Sequence, residues 1–131
     1  MSIRSLQKKI DETEYWDLEM LDFKINYFGD ETILYIYNGE DSSWEITFSS
    51  CLKVNYQTDA NIRDINLVKT MKRPQLGYYG QDISLSKDEK NDGFIEVSMD
   101  LSIMLVKIVC KNITVGKVEN NLLNYFWKFD K

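Results

Sequence analysis

ETILYIYNGEDSSWEITFSSCLKVNY, residues 31–56, decides how the chain folds. Its first apolar run is Ile33, Leu34, Tyr35, Ile36 and Tyr37. Its second is Trp44, Ile46, Phe48, Leu52, Val54 and Tyr56, all at even positions. Between them Asn38-Gly39-Glu40-Asp41 carries a turn signal. Period-two alternation rich in aromatic and β-branched residues predicts antiparallel strands; a helix would repeat its apolar positions every three or four residues. The centre of the chain therefore reads as a β-meander.

Upstream, residues 16–27 read as a strand with Leu21, Phe23, Ile25 and Tyr27 on one face and Asp22, Lys24 and Asn26 on the other. Gly29-Asp30 turns it into Thr32–Tyr37, which is apolar on both faces. That run is either central or backed by a second core layer. Residues 5–13 allow a short helix capped by Ser5, with Leu6 and Ile10 on one side. Its charges, among them Lys8, Lys9, Asp11 and Glu12, mark it as a surface element.

Downstream, Ser43–Phe48 either continues through Ser49-Ser50-Cys51 into Leu52–Tyr56 as one bent strand or breaks there at a bulge. Residues 61–80 are the least regular. Ile62, Ile65 and Val68 allow one helical turn, Pro74 ends it, and Gln75 to Gly80 reads as a flexible aromatic loop of the kind that often carries function. Further strands are expected at 81–86, 94–99, 102–110 and 113–118, with a charged turn, KDEKNDG, at 87–93. Tyr125 and Trp127 in the aromatic tail either finish a core or form a docking patch. An internal echo links Cys51 and Val54, after one strand pair, to Cys110 and Ile113, after another. The expected fold is mainly β, with seven or eight antiparallel strands as a two-sheet sandwich or partly open barrel and a short N-terminal helix. Its core should contain Leu21, Phe23, Ile25, Leu34, Ile36, Ile46, Phe48, Val54, Val97, Leu105 and Ile113.

At 131 residues, 1–131 reads as a single β-rich domain with enough chain for one core. Forty-four per cent apolar residues argue against disorder. A formal charge of -5 disfavours a nucleic-acid backbone binder, which needs a basic footprint. The start lacks a signal-peptide core and no run is as long as a membrane helix, so the expected location is the cytoplasm, with no membrane partner. In that reducing setting Cys51 and Cys110 are expected to be reduced and buried; no CxxC motif marks a redox pair.

Histidine is absent. That removes the usual neutral-pH base, the Ser-His-Asp and Cys-His arrangements, and a common metal ligand. There is no phosphate-binding glycine loop. The acidic groups near Asp88 lack calcium-loop spacing. No catalytic residue, metal site or cofactor is expected, and the chain is read as not an enzyme.

Tyr15-Trp16-Asp17, Asn26-Tyr27-Phe28-Gly29-Asp30, Trp44-Glu45, Cys51 and Val54-Asn55-Tyr56 resemble a group of small proteins of the YxiG type from Bacillus and related Firmicutes; Cys110-Lys111-Asn112-Ile113 extends the similarity, which spans most of residues 14–118. Proteins of that kind are encoded beside a large wall-associated polymorphic toxin. The resemblance implies an immunity or an accessory role, the former by binding a cognate toxin domain, and it transfers no catalytic residues. The alternatives are a small-molecule-binding β domain or a structural, oligomerising module; oligomeric state stays open. For protein binding, the candidate anchors are Tyr78, Tyr79 and Trp127, and Trp44 where it is not simply core, with Glu40, Asp41, Asp88 and Glu89 as rim charges.

Overall fold

In a computed structural model, which describes residues 2–58 and 68–127, the chain is mainly β with one N-terminal helix. The helix α1 (Ile3–Asp11) is followed by β1 (Met20–Asn26), β2 (Glu31–Tyr37), β3 (Ser42–Thr58), β4 (Tyr78–Lys87), β5 (Ile95–Ser102) and β6 (Met104–Glu119). These strands form one antiparallel sheet in the order β1-β2-β3-β6-β5-β4. A two-sheet sandwich therefore does not form. The strand number falls short of the expected seven or eight because two pairs of short strands are each one long strand, bent but unbroken.

The architecture is two three-stranded meanders joined along β3 and β6. The first half of β3 pairs with β2, the first half of β6 pairs with β5, and the two long strands pair with each other from Ser42↔Glu119 to Thr58↔Met104. Cys51↔Cys110 stands at the crossing point, beside a register shift and after Ser50, whose φ is 54°. The echo between the two cysteines reflects this arrangement: each lies where its meander passes into the shared ladder.

The sheet curls. Residues approaching β1 bridge to the start of β4, through Trp16↔Gly80 and Glu19↔Tyr79, so the outer strands meet at one corner without closing a barrel. The main core fills the concave side with Leu34, Ile36, Ile46, Phe48, Val97, Met99 and Ile108. Helix α1 is part of it. Leu6 and Ile10 are buried there, so α1 is no mere surface element; its charges lie on the far side of an amphipathic turn. Ser2, rather than Ser5, caps the helix by accepting the Ser5 N–H at 3.1 Å.

A second core covers the opposite face. Tyr35 and Tyr125 pack edge to face there, and Trp127 stacks on Tyr125 with ring centroids 4.6 Å apart. This is the second layer expected from the two apolar faces of β2, and Tyr125 completes it from the tail. Leu21 joins it because a bulge between Met20 and Asp22 turns Leu21 away from the face carrying Phe23. Of the other expected core residues, Phe23 and Val54 are half-buried, while Ile25 and Leu105 are exposed. Ile25 lies on the outer strand and Leu105 points to the convex side. Residues 75–80 are not a flexible loop throughout, since Tyr78, Tyr79 and Gly80 begin β4. The expected turn at Ile62 and Ile65 lies outside the described residues.

Candidate protein-binding surface

The two edges of the sheet are treated differently. Along β4, Gln7 of α1 donates from Nε2 to the Ile83 carbonyl at 2.7 Å and accepts the Leu85 N–H on Oε1 at 2.8 Å. The Tyr15 hydroxyl accepts the Ile83 N–H at 2.9 Å. A side-chain amide and a phenol thus occupy positions a neighbouring strand would fill, which blunts the edge. Burial is the main reason that the Tyr15 hydroxyl is held above its ordinary pKa.

On its outer side, β1 has no strand among the described residues. There the sheet opens into an apolar groove of about 220 Å³, lined by Phe23, Ile25, Tyr56, Tyr78, Met104 and Phe126 among others. Phe23 and Tyr56 meet edge to face, 5.9 Å between centroids. Asp22 sits at the groove, accepting the Phe23 N–H at 2.8 Å; burial raises its carboxyl pKa. Desolvation there outweighs the Phe23 N–H and the nearby Lys24, both of which favour the charged form.

The β1–β2 turn extends this patch. Tyr27 and Phe28 have φ of 53° and 60°, in the left-handed region that bulky residues rarely adopt. Tyr27 is 73% exposed and Phe28 fully exposed, at 113% of its reference area. Gly29, with φ of 104°, and the Asp30 N–H to Tyr27 O bond of 3.1 Å hold the turn. Two aromatic rings are therefore presented to solvent by a strained backbone, adding little to the core. Observed strain together with exposed aromatic surface points to recognition.

The sequence-derived candidates fall in four places. Tyr78, half-buried, lines the groove, and Tyr79, on the same strand, is 36% exposed. Trp127 is tied down: its Nε1 donates to the Leu21 carbonyl at 2.8 Å. Glu40 and Asp41 are exposed at the β2–β3 turn, where Asn120 donates to both backbones and Arg73 reaches Glu40 at 3.7 Å and Glu19 at 3.2 Å. Tyr125, pushed up to about 12 by burial, anchors the tail at this end through its hydroxyl on Ser43. Asp88 and Glu89 lie at the β4–β5 turn; Glu89 is exposed, but Asp88 is buried and its carboxylate accepts the Asn91 N–H and side-chain amide. Asp88 is thus a turn-forming residue. The sequence did contain Tyr27 and Phe28, but alternation assigned Tyr27 to the inward face of a strand that ends one residue earlier. An aromatic pair directly before Gly-Asp was the available signal.

Among the described residues no group of acidic or cysteine side chains could hold a metal ion, and no helix is long and apolar enough to cross a membrane. No curated protein matches the chain. A crystal structure of an uncharacterized protein from Neisseria gonorrhoeae has a similar fold, with a TM-score of 0.53 and 18% identity over 77% of this chain and 91% of that one. The likeness is one of fold alone. The family model described as Immunity protein PIM7 matches residues 2–117, nearly the whole of the described structure, and the chain belongs to that immunity protein family.

Proposed function

We propose that this protein neutralises a cognate bacterial toxin domain in the cytoplasm by binding it, with no turnover of its own. The match of residues 2–117 to an immunity protein family carries this reading. Binding requires a scaffold and aromatic anchors, and the six-stranded sheet and the exposed Tyr27 and Phe28 support this reading. The contact surface we assign is the β1 corner: Tyr27 and Phe28 as anchors, Ile25, Tyr56 and Tyr78 along the groove, and Asp22 as the charge that meets a toxin lysine or arginine. At about 220 Å³ the groove is smaller than the roughly 300–1,000 Å³ of small-molecule sites. It suits a partner's side chain rather than a metabolite. Glu40, Asp41 and Glu89, at other ends of the sheet, fall outside this surface.

Co-expression with the toxin domain encoded beside the gene tests the reading. Cells carrying the toxin survive only with this protein, and the two co-purify. Equal killing with and without it, and no complex, would end the immunity reading. The double substitution Tyr27→Ser and Phe28→Ser tests the surface separately. It should leave the melting temperature within a degree or two and weaken toxin binding at least tenfold, about 1.4 kcal/mol. Unchanged affinity would move the contact elsewhere on the sheet.

A further inference from the structure

Cys51 and Cys110 are separated widely along the chain, and nothing in their flanking sequence marks a redox pair. The fold sets them opposite each other across the β3–β6 ladder. Both side chains face the main core: Cys110 is fully buried within it and Cys51, half-buried, packs against it. The kind of pairing matters. The Cys51 N–H donates to the Asp30 carbonyl at 3.0 Å, on the side of β3 away from β6. Cys51 and Cys110 are therefore a pair that does not exchange backbone hydrogen bonds. In antiparallel ladders such pairs bring the Cα atoms to roughly 4.5 Å and their side chains close together. A disulfide spans Cα separations of about 4.4–6.8 Å.

We propose that Cys51 and Cys110 are a disulfide-forming pair, closed by a low-molecular-weight disulfide oxidant and reopened by thiols. Cys51 reacts first, because Cys110 is wholly enclosed. The Cys51 thiol loses its proton to solvent and the thiolate attacks one sulfur of the oxidant, RSSR. The S–S bond of RSSR breaks, one RS⁻ leaves and takes up a proton, and a mixed disulfide remains on Cys51. The Cys51 thiol donates to the Phe48 carbonyl at 3.4 Å and burial raises its pKa, so this first step is also slower than for a free thiol. Cys110 then gives up its proton and attacks the Cys51 sulfur, expelling the second RS⁻, which is protonated in turn. Two protein thiols are oxidised and one RSSR is reduced to two RSH. The second step is the slow one, since burial pushes the Cys110 thiol up to about 12. Excess thiol reverses the same two exchanges and reopens the pair.

The bond would lie within the long β3–β6 ladder that joins the two meanders, so closing it staples the halves together. The test uses the full chain, folded, with no denaturant, exposed to excess glutathione disulfide over hours. The intact mass should fall by two hydrogen atoms, a peptide map should show Cys51 linked to Cys110, and the melting temperature should rise by several degrees and return after dithiothreitol. Cys110→Ser should stop at a glutathione adduct on Cys51. If the wild-type protein keeps both thiols, or ends as a persistent Cys51 adduct or an intermolecular dimer, the proposal is overturned, whatever the variant does.

Discussion

At Gly80 two backbones come so close that a β-carbon has no room. Its N–H donates to the Leu18 carbonyl at 2.9 Å and its carbonyl accepts the Asp17 N–H at 2.8 Å. A methyl there would run into the Tyr15 carbonyl oxygen, which is backbone and cannot swing aside, and into the end of Met20. Gly80→Ala should cost about 1–3 kcal/mol, read as a fall in the urea midpoint at constant slope; a change within a few tenths would mean the corner relaxes freely. Asp22 gives a pH signature. Its folded-state pKa lies above the unfolded value because the ionised form is desolvated. Its contribution to stability is therefore fully present below about pH 4, the unfolded carboxyl range, and is lost as pH rises through the folded value. Asp22→Asn keeps an acceptor for the Phe23 N–H and removes the charge. The variant should melt above the wild type at pH 7, and the gap should shrink as pH is lowered towards 4. A gap independent of pH would show that the charge is not what costs stability. Neither residue announced this in the sequence. Gly80 read as a loop glycine and Asp22 as an outward polar residue, because both roles depend on segments brought alongside by the curl of the sheet.

Helix α1 shows how an element acquires a task from its surroundings. Leu6 and Ile10 fasten it to the core, and that places Gln7 over the outer edge of β4. Gln7→Ala would leave the Ile83 carbonyl and the Leu85 N–H without these partners, at a cost of about 1–3 kcal/mol. It would also uncover an edge able to pair with another chain. Denaturation and light scattering across a concentration series should show both effects; a variant that is destabilised yet strictly monomeric would mean the edge is guarded by Tyr15 alone. At this scale the sequence was most informative. Alternation located the strands because the side-chain period of a sheet is a local property. The sequence left open whether β3 and β6 were each one long strand or a short pair, since a bulge such as that near Leu52 and a true turn look alike in one dimension. The 57% exposure of Leu52 at the bulge shows how far one extra residue displaces the pattern. The candidate surface was harder to see. Solvent-facing aromatics at the β1 corner follow from where β1 ends, and that is not written in local periodicity.

For the molecule as a whole, the arrangement of two meanders sharing one long ladder has a kinetic consequence. Within β1-β2-β3 and within β4-β5-β6, partners are near neighbours along the chain, and closing them requires little loop entropy. The β3–β6 ladder joins residues far apart in sequence, and such pairing is slow to form. The halves should therefore organise early and zip together late. Val97, buried in β5 and paired with Leu85 and Ile108, reports on the second meander; Val115, paired with Ile46 on the part of β6 beyond β5, reports on the ladder. In stopped-flow chevrons Val97→Ala should chiefly slow refolding, with a φ-value above about 0.5, and Val115→Ala should chiefly speed unfolding, with a φ-value below about 0.3. The reverse order would mean that the ladder is the nucleus. If the halves do dock late, the barrier to leaving the native state is set along the ladder, and the lifetime of the folded protein is governed there while its rate of birth is governed within the hairpins.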